Sequence, residues 1–177
     1  LLMEGDPHQL IESMIIAAYA IGADIGYVFI RGEYTESQRK LQRAIDEANE
    51  AGYLGADILG TGFNLKIYLH MSAGRYICGE ESALLSALEG RRAVPRHKPP
   101  FPAASGLFGQ PTTVNNVETL CNVPHIINNG ADWYQGLGLH KDGGTKIFGA
   151  SGHVARPGLM EMPLGTKLSD VLDHFGG

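Results

Sequence analysis

The residues best suited to chemistry lie in segment 74–81, which reads Gly74-Arg-Tyr-Ile-Cys-Gly-Glu-Glu81. A glycine-rich turn between a strand and a helix lets a ligand approach the backbone, and the free N–H groups of the helix face its negative charge. A phosphate or an anionic ring would suit such a turn, although the spacing is neither Gly-x-Gly-x-x-Gly nor a Gly-Lys-Ser phosphate loop. A plain helix start, in which Glu80 and Glu81 complement the helix dipole, explains the same residues equally well.

Two side-chain arrangements in this segment carry further hypotheses. Tyr76 could stack on a planar ring, but an aromatic residue at such a position is more often packed into its domain. Glu80 and Glu81 are adjacent, and neighbouring helical positions diverge by about 100°. This divergence argues against an acid–base pair acting on one substrate.

A basic, proline-rich segment follows in an otherwise acidic chain. It contains Arg91, Arg92, Arg96, His97 and Lys98, directly ahead of Pro99-Pro-Phe-Pro102. The prolines restrict the backbone around Phe101, so its ring could stack on an adenine or nicotinamide while Lys98 meets phosphate or ribose oxygens. A solvated basic loop that docks on an acidic partner subunit is the alternative, and the sequence leaves both open.

A third polar group consists of Asn115, Asn116 and Thr119 at a predicted helix start. Helix capping accounts for one asparagine. Two consecutive asparagines, with a threonine three positions after the second, could also hold a phosphate or the polar edge of a flavin.

The composition argues against several classes of function. The 177 residues carry a net charge of −5, which provides no field for gathering nucleic acid or anionic lipid. The longest apolar run, Met14 to Ile21, is too short for a membrane span. The two cysteines, Cys78 and Cys121, cannot form a disulfide scaffold, and the seven histidines show no metal-ligand spacing. We therefore expect a cytosolic chain with no metal site, and the absence of a Gly-x-Ser-x-Gly elbow argues against a hydrolase.

The elements that must position the polar groups alternate between helices and strands, which predicts an α/β fold. We expect a helix from Asp6-Pro7 to Gly22, a strand Tyr27–Arg31, a helix capped by Thr35 and ending at Gly52, a strand Phe63–Met71, a helix from Gly79 to Leu88 closed by Gly90, an ordered surface loop from Arg91 to Pro111, and helical structure over Thr113–Asn129 interrupted at Pro124.

The pattern changes near the C-terminus. Glycines cluster over Gly136–Gly144, which predicts a domain boundary there. Beyond it we expect a strand Lys146–Ser151, a turn at Arg156-Pro-Gly158, a strand Leu159–Met162 and a helix capped at Thr166.

Two long segments, Gly74 to Ala103 and Gly109 to Pro124, resemble the NADH-binding flavoprotein subunit of bacterial respiratory complex I. The shared motifs include Gly-Glu-Glu-Ser, Arg-Arg-Ala-Val-Pro-Arg-His-Lys-Pro-Pro-Phe-Pro and Val-Asn-Asn-Val-Glu-Thr-Leu-Cys-Asn-Val-Pro. The resemblance extends to Leu2–His8 and Gly152–Gly158, so it covers essentially the whole chain. Diaphorase subunits of NAD-linked hydrogenases and formate dehydrogenases share the core motifs, but the Thr-Leu-Cys-Asn-Val-Pro motif is closer to complex I.

The resemblance implies a Rossmann-like FMN- and NADH-binding α/β domain over 1–143, followed by the first part of a ubiquitin-like β-grasp domain over 144–177. It implies FMN contacts from Gly74, Tyr76, Gly79, Glu80, Glu81, Val114, Asn115, Asn116 and Thr119, and NADH contacts from Lys98 and Phe101. Glu81 would lie near both ligands and act as the catalytic residue through electrostatic tuning. The implied reaction is hydride transfer from nicotinamide C4 to flavin N5.

The chain also departs from the family pattern. The family's Gly-Arg-Gly-Gly-x-Gly-Phe-Pro segment and its later Cys-x-x-Cys-x-x-Cys run, which holds a four-iron four-sulfur cluster, are absent. We therefore expect an internal fragment that is inactive alone. The implied partners are peripheral-arm subunits of complex I that carry iron–sulfur clusters, at the cytoplasmic side of the inner membrane. A diaphorase subunit and a non-catalytic subunit-docking module remain the alternatives.

Overall fold

Helix α2 shows how directly the sequence sets the first elements. The structure is a computed structural model that describes residues 1–177. A short helix, α1 (Leu2–Gly5), precedes α2 (Pro7–Ile21). The Asp6 side chain caps α2 by accepting from the Gln9 N–H at 3.1 Å, and Gly22 ends it at a φ of 70°. Both ends of this helix are confirmed.

A β-α-β arrangement forms the centre of the first unit. Strand β1 (Ile25–Arg31), helix α3 (Thr35–Glu50) and strand β2 (Lys66–Ser72) follow one another, and the two strands pair in parallel. Val28, Ile30 and Ile67 point into a core shared with both long helices. The opposite face carries two stacked ring pairs, Tyr27 on Tyr68 at 5.5 Å and Phe29 on His70 at 5.3 Å between centroids. The α/β class is therefore confirmed.

The remaining elements of this unit are short. They are helix α4 (Glu81–Leu88), helix α5 (Val117–Cys121) and helix α6 (Val123–Asn129), of which α6 continues past the end of the unit. The predicted interruption at Pro124 is confirmed, because α5 ends at Cys121 and Pro124 lies in the first turn of α6. None of the helices is both long and apolar enough to cross a membrane.

Several predicted boundaries shift for identifiable reasons. Thr35 is the first residue of α3 rather than its cap, a position held by Tyr34. Strand β2 begins at Lys66 rather than Phe63, because Leu65 forms a separate antiparallel bridge with Gly55. Helix α4 begins at Glu81 rather than Gly79, because residues Tyr76–Gly79 form a 3-10 turn.

The chain divides into two compact units, Leu1–Pro124 and His125–Gly177. The division into domains 1–143 and 144–177 stays a prediction. Backbone hydrogen bonds link the glycine-rich stretch to the rest of the second unit. The Gly144 N–H donates to the Tyr134 carbonyl at 2.8 Å, and the Leu139 N–H donates to the Leu164 carbonyl at 2.7 Å. The glycine-rich stretch is thereby fastened to the hairpin that follows it.

The second unit contains helix α7 (Ala131–Gly136), the antiparallel strands β3 (Thr145–Ala150) and β4 (Gly158–Pro163), and helix α8 (Leu168–Phe175). Helix α7 has no counterpart among the predicted elements. Helix α8 starts after Lys167, and Thr166 is not its cap, because its hydroxyl donates to the Pro163 carbonyl at 2.7 Å. Only Met162, Val171 and Phe175 form the buried core of this unit.

We expect amide hydrogen exchange to be faster in the second unit than in the first. Three buried apolar residues resist local opening less than the larger core beneath β1 and β2. Exchange followed by mass spectrometry should show the amides of β3 and β4 exchanging at least about tenfold faster than those of β1 and β2. Equal protection of the two strand pairs would contradict this expectation.

Candidate functional site

The turn after β2 is fixed by its contact with the end of β1. Ser72 ends β2 opposite Arg31, and its carbonyl accepts from the Gly32 N–H at 3.0 Å. Gly74 follows at a φ of 71°, and a Cβ there would lie 2.5 Å from Oε1 of Glu33. The left-handed conformation favours glycine at this position, whereas the Glu33 carboxylate is the end of an exposed side chain that could move aside.

Glu80 closes the first turn of α4. Its Oε2 accepts hydrogen bonds from the Ser82 hydroxyl at 2.6 Å and from the Ala83 N–H at 2.8 Å. The Ser82 hydroxyl, helped by backbone N–H groups and Lys98, lowers the pKa of the Glu80 carboxyl to about 2. The structure thus shows the plain helix start that the sequence left open, with Glu80 itself taking the N–H that an anion could have used.

Lys98 joins the basic loop to the same helix end. Its Nζ forms an ion pair with Glu81 and lies 3.5 Å from Oε1 of Glu80. The hydrogen bond that it donates to Glu81 and the charges of both carboxylates raise the pKa of the Lys98 ammonium. Three of the predicted site residues therefore form one cluster, although they come from two predicted motifs.

Arg96 anchors the loop that carries Lys98. Its Nε donates to the Ser86 hydroxyl at 3.0 Å, and its guanidinium lies 2.7 Å from Oε2 of Glu89. The Glu89 side chain is only 6% exposed, and its Oε1 accepts from the Phe108 N–H at 2.8 Å. These hydrogen bonds and the nearby Arg96 charge lower the pKa of the Glu89 carboxyl against the opposing effect of burial. Sequence reasoning missed this anchor, for which the signal is a pair of buried serines, Ser82 and Ser86, one helical turn apart.

The aromatic residues of the predicted site are open to solvent. Tyr76 is 98% exposed on the 3-10 turn, so it does not pack into the domain, and Phe101 is 60% exposed. No atom lies within 4 Å of the place where a Cβ would stand on Gly79. Backbone and ring surface next to the Glu80 cluster are therefore accessible to a planar ligand.

The asparagine group occupies a different part of the first unit. Asn116 is the N-cap of α5 but makes no side-chain hydrogen bond to it. Helix α5 packs against α2, where the Cys121 carbonyl accepts from Nε2 of Gln9 at 2.6 Å. Asn115 and Thr119 are exposed, and Val114 is half-buried. No hydrogen bond or ion pair joins this group to Glu80, Glu81 or Lys98, so the protein alone does not tie the two groups together.

Neither cysteine belongs to a cluster suited to a metal ion. Cys121 is buried, which raises the pKa of its thiol, and Cys78 is half-buried beside the 3-10 turn. No group of three or more His, Cys, Asp or Glu side chains is arranged to hold a metal ion.

Replacement of Arg96 should destabilise the chain. Arg96→Ala leaves the buried Glu89 carboxylate with only Arg91, 3.6 Å away and well exposed, as a cationic neighbour. We expect the free energy of unfolding, measured with urea, to fall by about 2 kcal/mol, because Glu89 loses one partner but keeps the Phe108 N–H. Arg92→Ala is the matched control, since Arg92 is exposed and makes no ion pair, and a comparable loss in both variants would contradict the assignment.

The Glu80 carboxylate should make stability depend on pH. Because its pKa in the folded chain is about 2, below the ordinary value of 4.5, its stabilising effect is complete above about pH 4.5 and is lost as the pH falls toward 2. Glu80→Gln should therefore be less stable than the parent at pH 6, with the difference in urea midpoint shrinking as the pH approaches 3. Glu12→Gln, at an exposed carboxylate without partners, should show no such convergence.

Comparison with known proteins places this geometry in a family. Residues 1–125 match the family described as the Nuo51 FMN-binding domain. The F subunit of the NADH-quinone oxidoreductase of Escherichia coli is 58% identical over 177 residues, which cover 100% of this chain and 40% of that protein. The F subunit of the Mycobacterium tuberculosis enzyme is 53% identical over 176 residues, covering 99% of this chain and 40% of that protein.

A solved structure is also similar to this chain in both fold and sequence. The crystal structure of an NAD+-reducing nickel–iron hydrogenase in the H2-reduced state superimposes with a TM-score of 0.87 at 41% identity, over 98% of this chain and 29% of that one. The chain thus spans about 40% of the length of the curated relatives it matches. With the family match covering residues 1–125 and relatives more than half identical along its length, the chain belongs to the Nuo51 FMN-binding domain family.

Proposed function

We propose that this chain is part of the flavoprotein subunit of an NADH:quinone oxidoreductase. In this proposal the subunit takes hydride from NADH onto bound FMN, and iron–sulfur clusters carry the electrons on to quinone. The cluster of Glu80, Glu81 and Lys98 beside the exposed Tyr76 ring is the observation that carries the proposal. The relatives, which are F subunits of NADH-quinone oxidoreductases, support it.

The first half of the proposed FMN site is the turn between β2 and α4. Gly74 and Gly79 let a planar ring approach the backbone, and Tyr76 offers a free aromatic face. Glu80 and Glu81 provide acceptors for ring N–H groups. The open space beside Gly79 and the solvent-facing Tyr76 ring are features that a flavin ring would fit.

The second half of the proposed FMN site is the start of α5. Asn115, Asn116 and Thr119 are exposed side chains with no hydrogen bond of their own. With Val114 beside them, they would hold the polar edge and phosphate of FMN. Because nothing in the protein joins this group to the Glu80 cluster, the flavin itself would bridge the two halves.

NADH would bind against Lys98 and Phe101. The Lys98 ammonium carries positive charge between two carboxylates, and the ring of Phe101, three residues on, is exposed for stacking. A pyrophosphate would compete with Glu81 for the ammonium, while the adenine or nicotinamide ring would stack on Phe101.

Bound FMN supplies the hydride-accepting position N5, so no side chain of this chain has to act as a nucleophile. The chain's residues position the ligands and set the local charge. Glu81 lies next to Lys98 and contributes negative charge near both proposed ligands, so its catalytic role would be electrostatic tuning.

The fold and the assembly form part of the same proposal. We assign residues 1–143 to a Rossmann-like FMN- and NADH-binding domain, and residues 144–177 to the first part of a β-grasp domain. Cysteines for a four-iron four-sulfur cluster are not in this chain, so the clusters would come from the rest of the subunit and from peripheral-arm partners of complex I, on the cytoplasmic side of the membrane. A diaphorase role in a hydrogenase is the second candidate, supported by the 41% identical hydrogenase structure.

A flavin titration tests this proposal. We expect the chain to quench the fluorescence of added FMN, and we expect the double variant Tyr76→Ala, Asn116→Ala to bind FMN at least about tenfold more weakly, because it loses one contact from each half of the site. Because we expect the chain to be inactive alone, later addition of NADH should leave the bound flavin unbleached; bleaching in the parent but not in Lys98→Gln would contradict that expectation and would show that the NADH site is intact.

Tyr53→Ala is the matched control, since Tyr53 is an exposed tyrosine outside the proposed site. Loss of quenching in Tyr53→Ala as well would contradict a specific site. No quenching by the parent would overturn FMN binding by this chain alone and would favour the role of a subunit-docking module.

A further inference from the structure

The Ser82 side chain lies at the junction between α4 and the loop that carries Lys98. It is 2% exposed. Its hydroxyl lies 2.6 Å from Oε2 of Glu80 and 2.8 Å from the backbone nitrogen of Arg96. An ionised carboxylate only accepts and a backbone N–H only donates, so the hydroxyl proton goes to Glu80 and an oxygen lone pair accepts from Arg96.

The two bonds of Ser82 connect parts of the site that are far apart in sequence. Glu80 caps α4, whereas Arg96 precedes Lys98 by two residues in the loop. The Arg96 side chain, on Ser86 and Glu89, and the Val94 carbonyl, which accepts from the Ser86 hydroxyl at 3.4 Å, hold the loop without touching Glu80. Ser82 is therefore the one residue that hydrogen-bonds both to the Glu80 carboxylate and to the backbone of the loop.

Ser82 also decides how the two oxygens of Glu80 are used. Oε2 is occupied by Ser82 and Ala83, so Oε1 is the oxygen that faces Lys98 at 3.5 Å. The other charged group near Lys98 at this place is Glu81. If Ser82 released Oε2, the carboxylate could rotate, and both the distance to Lys98 and the balance between Glu80 and Glu81 would change.

We propose that Ser82 is a positioning residue, which orients the Glu80 carboxylate and holds the loop so that Lys98 meets the ligand in a fixed geometry. The contact of Lys98 with a ligand rests on the proposed function, in which Lys98 contacts NADH. The orientation of Glu80 by Ser82 does not depend on it.

The test compares four forms of the full 177-residue chain: the parent, Ser82→Ala, Ser82→Thr and Ser86→Ala. Carbon-detected NMR titration should show the pKa of the Glu80 carboxyl rising by about one unit in Ser82→Ala, because a hydrogen bond to a charged acceptor is lost. Ser82→Thr, which keeps the hydroxyl, should restore the parent value. Ser86→Ala removes a buried serine of the same helix that does not touch Glu80, and it should raise the pKa of Glu80 clearly less than Ser82→Ala does.

NADH titration of the same forms separates the two parts of the proposal. We expect the dissociation constant for NADH to rise several-fold in Ser82→Ala and to recover in Ser82→Thr. An unchanged pKa of Glu80 in a folded Ser82→Ala variant would overturn the positioning role. Ser82→Cys, of nearly the same volume but a weak donor, gives the same comparison if Ser82→Ala does not fold. A parent chain that binds no NADH would contradict the proposed function, while the Glu80 titration would still decide the role of Ser82.

Discussion

The cap of α4 is the constraint on which the rest of the candidate site depends. The Glu80 carboxylate accepts from the Ala83 N–H, in the first turn of the helix, and from the Ser82 hydroxyl at the same oxygen, so its other oxygen is directed to Lys98. Because the same hydroxyl accepts from the backbone of Arg96, helix and loop are fixed together at one point. An ion pair between the half-buried Arg96 and the buried carboxylate of Glu89 secures the loop at a second point, farther along the helix.

The sequence predicted those features that depend on neighbouring residues. Asp6-Pro7 and Gly22 predicted both ends of α2, and Pro124 predicted the interruption between α5 and α6, because caps and proline act within one turn. The start of α4 was missed by two residues, since a glycine-rich turn can form either a 3-10 turn or the first turn of a helix.

Features set by distant contacts could not be predicted in the same way. The ion pair of Lys98 with Glu81 depends on how the loop folds back onto α4. The loop shows no hydrophobic periodicity, and the two buried serines of α4, Ser82 and Ser86, are the one feature that indicates the contact. The glycines over Gly136–Gly144 indicate a turn but not the backbone bonds that attach it to Tyr134 and Leu164. Short helices such as α7 lack the length over which periodicity can be detected.

Under the proposed function, anchoring and ligand contact fall to different residues of the same loop. Arg96 holds the loop through buried partners, whereas Lys98 pairs with the carboxylates of Glu80 and Glu81 at the start of α4 and the ring of Phe101 is exposed. Protein engineers could therefore vary Lys98 and Phe101 to alter which dinucleotide is preferred, while the loop stays attached to its helix. Because the anchoring residue Arg96 is separate from Lys98 and Phe101, this segment is a suitable starting point for redesigning which cofactor is preferred.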